Sequence, residues 1–201
     1  MATNAGNVST GKPKAGGAVF RAPVGTTLPT TATEALDAAF LDMGYISEDG
    51  VTNNNTRETE EVKAWGGDVV AQPQTGKTDT FGMTFIERKN VEVLKAVYGE
   101  DNVSGTMATG ITVRANATEL DNSSWVIDEI LSDGDLQRTV IPKGKITEVG
   151  EVAHTDGNVI GYESTITAFP YGEWDGDTHR EFMQNPPSAD EDPGDEDPEN
   201  P

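Results

Sequence analysis

The chain has 201 residues, of which 34% are hydrophobic and 22 are glycine, and it has no cysteine. That bounds it to one domain with a modest core and excludes disulfides and thiolate metal sites. Its net charge is −21, from 35 acidic against 14 basic residues, and so acidic a body grips polyanions poorly, because affinity for phosphate backbones comes from Lys and Arg.

No apolar run approaches the roughly 20 residues of a membrane-spanning helix, and the N-terminus has no apolar signal core, so a soluble protein made in a cytoplasm and lacking a membrane anchor is expected. Residues 1–16 are small and polar and read as a flexible arm before a main domain over 17–185. Ala18–Ala22 is the first candidate strand, stopped by Pro23. Gly25–Thr33 is loop, and Glu34–Phe40 is either a helical turn or an irregular packed segment. Leu41–Ile46 enters a second strand, and Ser47–Gly50 supplies turn residues. Val51–Gly67 is a polar loop in the form of an extended hairpin, with an aromatic–diglycine corner at Trp65, Gly66 and Gly67. Asp68–Gln72 returns as a strand.

Thr78–Ile86 has the clearest periodicity. Phe81, Met83 and Phe85 fall on one face and Thr78, Thr80, Gly82 and Thr84 on the other, as in a strand with one buried face. Asn90–Tyr98 is a helix: Asn90 caps it, Val91, Leu94 and Tyr98 share a face, and Gly99 ends it in a left-handed conformation. Further strands are expected at Ile111–Ala115, Ala117–Leu120, Trp125–Leu131, Leu136–Ile141, Ile146–Val152 and Asn158–Phe169, with tight turns at Ser132–Asp135 and Thr155–Asn158. The segment 186–201 holds seven acids and no base, which leaves −14 elsewhere, and is expected to be disordered. The architecture is therefore mainly β, a sandwich or barrel-like fold with one short flanking helix and extended loop and arms.

Catalytic signals are weak. Gly6–Lys12 and Gly76–Thr78 each echo a phosphate loop, but Pro13 stands where the magnesium-binding hydroxyl belongs and Ala71 where the first glycine belongs. The two histidines, His154 and His179, have no neighbour at metal spacing, and His154 lies beside a turn, as a surface residue would. No nucleophile elbow occurs. Asp175 and Asp177 lack the other ligands of a calcium loop. No enzyme, cofactor or metal site is expected. Trp125 reads as core, whereas Trp65, flanked by glycines that permit close backbone approach, reads as an interface anchor.

The ordered series Ala15–Pro29, Phe40–Thr52, Glu58–Gly67 and Thr80–Gly99 resembles the major tail (tail tube) proteins of long-tailed phages, particularly those of actinobacterial hosts. The resemblance implies a virion tail protein, assembled in the host cytoplasm, whose subunits close into hexameric rings with a continuous inner β-barrel. Rings would stack into a tube that conducts DNA through an acidic lumen without specific binding. It also implies tape measure, tail terminator and distal tail proteins as partners, and a loop at 47–67 that reaches a neighbouring subunit or ring. Candidate contact residues along that stretch are Tyr45, Asp49, Val51, Glu60, Val62, Trp65, Gly66 and Gly67. The rival readings are a capsid decoration or adhesion-type sandwich and, from another class, a carbohydrate-binding module or carboxylate hydrolase.

Overall fold

A computed structural model describes residues 3–14 and 17–187. In chain order its strands are β1 (Gly11–Pro13), β2 (Val19–Pro23), β3 (Leu41–Asp42), β4 (Ile46–Thr59), β5 (Val62–Lys63), β6 (Val69–Ala71) and β7 (Gln74–Phe85). After helix α1 (Val91–Tyr98) come β8 (Val103–Ser104), β9 (Thr112–Val113), β10 (Ser123–Leu131), β11 (Leu136–Val149), β12 (Tyr162–Ala168) and β13 (Arg180–Gln184). The chain is mainly β with one flanking α-helix, as the sequence leads one to expect.

Nine strands form one antiparallel sheet in the order β3-β2-β10-β11-β12-β7-β4, with β1 also pairing β10 and β13 pairing β11. Alternation decides its faces. Phe81, Met83, Phe85, Trp125, Ile127, Ile141 and Ile166 share one face, and α1 covers it with Val93, Leu94, Ala96 and Val97. Burying side chains of that size contributes about 1.5–3 kcal/mol each for the larger ones, which holds a helix too short to be stable alone. The Asn90 side chain accepts from the Glu92 amide at 3.0 Å. Gly99 follows with φ 101° and ψ 146°. Its φ is positive as expected, but its ψ is extended rather than left-handed helical.

On the opposite face, Val126 and Val140 pack with Ala22 and Phe40, and Leu28, Leu36 and Phe182 close over them. The segment over Glu34–Phe40 is irregular, and a buried guanidinium pins it. Arg138 Nη1 donates to the Thr31 and Glu34 carbonyls at 3.2 and 2.6 Å. Its Nε and Nη2 donate to the two carboxylate oxygens of Asp128 at 2.6 and 2.8 Å.

Several boundaries differ from expectation. Ser47–Gly50 is not a turn: Ile46 pairs with Phe85 and Val51 with Met83, so these residues form a wide bulge inside β4, with Gly50 at φ 72°. The expected break between Leu136–Ile141 and Ile146–Val152 is likewise a bulge within the single strand β11. The register shifts where Ile141 and Gly144 meet β10, so Pro142, which has no amide hydrogen, sits where the ladder is already interrupted. Ala117–Leu120 forms no strand, since the Asn116 side chain accepts from the Thr118 amide and turns the chain. Of the segment expected as an N-terminal arm, Gly11–Pro13 pairs with Glu129–Leu131. β13 was not anticipated. All but the first two residues of the expected disordered tail lie outside the described residues.

Candidate assembly interface

The largest feature not buried in the subunit is the β4–β7 hairpin. β7 pairs with β12 only from Phe85 to Asp79. Beyond that point β4 and β7 pair with each other alone, down to Thr59 and Gln74. Every residue from 52 to 75 is exposed. A two-stranded ribbon is marginal in water, so its own backbone ladder is a thin support. The tip is closed by the Glu60 amide donating to the Pro73 carbonyl at 3.1 Å, and by the Ala64 amide donating to the Asp68 carbonyl at 2.8 Å. At its apex Gly66 and Gly67 take φ 133° and 99° with open space around them, and Trp65 is 106% exposed.

The root of the hairpin is fastened. Asp79 is 1% exposed, and its carboxylate accepts from Asn53 of β4 at 2.9 Å, from Thr178 at 2.6 Å and from the His179 Nδ1 at 2.5 Å. Lys77 donates to Thr178 at 3.2 Å, and the Phe81 and His179 rings meet edge to face at 5.2 Å. Burial alone would push the Asp79 carboxyl up, but the hydrogen bonds from Thr178, Asn53 and His179, with the charge of the imidazole, hold it below its ordinary value. A carboxyl so depressed supplies stability above its unfolded pKa of about 4, lost as pH falls through the lower folded value. Asp79→Asn is therefore expected to cost about 1–3 kcal/mol at neutral pH in urea unfolding, and less below pH ~4. An equal cost at pH 7 and pH 3 would contradict this.

A second feature is a cleft of about 830 Å³ between the two borders of the sheet, walled by β1, Lys14, Gly17 and Ala18, the start of β4, and Ile127 and Glu129. Tyr45 stands at it, 75% exposed. Burial, then the charge of Glu181, hold the Glu129 carboxyl above its ordinary value.

The eight candidate contact residues fall into two groups. Glu60, Val62, Trp65, Gly66 and Gly67 lie at the hairpin tip, whereas Tyr45, Asp49 and Val51 line the cleft. Val51 is half-buried and packs against the core. Sequence reading passed over Val69 and Val70, which are exposed on the returning strand β6 beside Val62. Their signal was available: apolar residues in a segment with nothing to bury them. Trp125 is core, at 1% exposure. His154 is exposed and meets Arg88 Nη1 at 3.3 Å, and Gly76–Thr78 is plain strand in β7. Among the described residues, no three acidic or histidine side chains cluster as a metal would require.

The sheet presents a wet face where β4, β7, β12 and the end of β11 meet. Register puts Thr52, Thr56, Thr80, Thr84, Thr165 and Thr167 on it, with Glu58, Glu148, Glu163 and Lys145 interspersed. On its outer side β4 pairs with no strand among the described residues.

The model of the phage tail tube protein family matches residues 1–184. The chain belongs to the phage tail tube protein family. The family is structural rather than enzymatic, which sets aside the hydrolase and glycan-binding readings and places this tail tube protein in the virion tail. No curated protein matches the sequence. Among solved structures the fold is similar to the tube-terminating cap of the anti-feeding prophage. That likeness has a TM-score of 0.43 and 8% identity, and covers 92% of this tail tube protein and 100% of the cap chain.

Proposed function

We propose that copies of this chain close side by side into rings, hexameric as the family resemblance implies, and that rings stack into the tube through which DNA leaves the virion. The observation that carries this is the outer edge of β4, a 14-residue strand with one side unpaired. A long open edge is a template for another strand, and a ring consumes every such edge by pairing it with the next subunit. The residues ahead of Ser9 and the segment 186–201 then serve as arms to neighbouring subunits, and tape measure, terminator and distal tail proteins meet the tube along its bore and at its ends.

The threonine-rich face suits a lumen. Its hydroxyls bind water, and it carries three acids against one base, Lys145, which is paired with Glu119. Each cation in a lumen would add a counterion-release attraction for phosphate, repeated at every ring, whereas neutral hydroxyls and scattered carboxylates add none. Electron microscopy of purified protein with light scattering across concentration and salt tests the proposal. Rings or tubes are expected; monomers under all conditions would overturn it.

A further inference from the structure

We infer that the cleft between β1 and the start of β4 is the receptor for the hairpin tip of a second copy, with Trp65 as the anchor. This rests on the stacking reading above and names the surface that receives the hairpin.

The tip has the form of a detached plug. Val62, Trp65, Val69 and Val70 are all exposed, on an element whose two strands pair only with each other among the described residues. Large aromatics with apolar neighbours are the usual anchors of interfaces when a pocket desolvates them. The cleft is a pocket of suitable size: about 830 Å³ lies within the range of roughly 300–1,000 Å³ that encloses a compact ligand, and it exceeds one indole several-fold. Pro13, Ala18, Ile46 and Ile127 give it apolar wall.

A chain cannot fill its own cleft. Val51 lies at the cleft, and Thr59 is eight strand positions further out, about 27 Å at strand rise, with the tip beyond it. The occupant must come from another copy.

Charge sets the acidic segment 186–201 aside as occupant. The cleft holds Asp42, Glu48, Asp49, Glu87 and Glu129 against Lys14, so any strongly acidic segment is repelled. Residues 57–78 carry Arg57, Lys63 and Lys77 against four acids, a net of −1 in a chain at −21. Arg57 and Lys77 sit directly opposite each other in the ladder, and neither has a carboxylate within ion-pairing distance among the described residues. Such a like-charged pair is unfavourable in the free subunit, and carboxylates at the mouth of a neighbour's cleft relieve it. A plug and a socket on different parts of one surface make a heterologous contact, which propagates in one direction instead of closing as a dimer.

Because the chain has no cysteine, introduced thiols report the contact cleanly. Ala64→Cys combined with Ser47→Cys is expected to give, on oxidation after assembly, a covalent ladder of dimers, trimers and higher species on a non-reducing gel. Lys63→Cys with Tyr45→Cys reads the same contact from other positions. Ala64→Cys with Thr155→Cys should stay monomeric. Adding Trp65→Ala to the first pair should lower the cross-linked fraction at least about tenfold, with the thermal midpoint of the monomer unchanged. Assembly visible in the microscope with no ladder from either pair overturns the cleft as receptor and leaves ring stacking standing. Failure of the unmodified protein to assemble overturns both.

Discussion

Excising the hairpin tip is expected to yield a folded monomer that forms no tubes. Replacing residues 60–73 with a two-residue Asn-Gly turn removes Trp65 and its apolar neighbours but no buried side chain, since all of these positions are exposed. Surface changes of this kind shift stability by about 0.5 kcal/mol or less, so the thermal midpoint should barely move. Assembly should be lost outright, because the apolar hairpin tip with its Trp65 anchor is gone. A wider deletion over 47–67 behaves differently. It takes away most of β4, removes Val51 from the core and bares the edge of β7, so it breaks the subunit and says nothing about stacking. The contrast follows from finding a bulged strand where a loop was expected. Tubes of normal appearance from the tip-excised protein would remove the hairpin from any role in assembly.

What the sequence made legible were the elements whose side chains separate two environments. Phe81, Met83 and Phe85 alternate with Thr80, Gly82 and Thr84 because one face of β7 meets α1 and the other meets water. Asn90 and Gly99 mark the helix because its ends need a cap and a positive φ. The outer half of the hairpin is wet on both faces, so no periodicity marks Asn53–Thr59 as strand, and only backbone pairing defines it. β13 was hidden for a related reason: Phe182 is its one core contact, and its partner β11 lies some forty residues away in sequence. The candidate site was half legible. An aromatic beside two glycines stands out locally, whereas the cleft is assembled from four separate stretches between Gly11 and Glu129, and no local pattern encodes a space between strands. The open edge of β4 leaves no mark in the sequence, because which strand ends the sheet is fixed by pairing order rather than by composition.

The largest stability effect belongs to the Arg138–Asp128 pair. Both side chains are nearly excluded from water, at 2% and 5% exposure, with Lys14 Nζ 3.6 Å from the same carboxylate. Asp128→Ala leaves the guanidinium buried without its counter-charge, an arrangement that costs about 3–5 kcal/mol. For a chain of this size that corresponds to a fall in thermal midpoint of about 6–20 °C. Replacing both partners together, Asp128→Leu with Arg138→Met, removes the uncompensated charge and should recover most of that loss, since apolar residues of similar volume commonly match or exceed a buried ion pair. One defect should persist in the double variant. The Thr31 and Glu34 carbonyls lose the Arg138 donor, so the segment that closes over Val126 and Val140 becomes the first to open. Limited proteolysis should then cut near residues 30–36 while the rest of the chain stays protected. If Asp128→Ala shifts the midpoint by less than about 2 °C, the guanidinium is reaching water in solution, and the pair is not the fastening that holds this loop to the sheet.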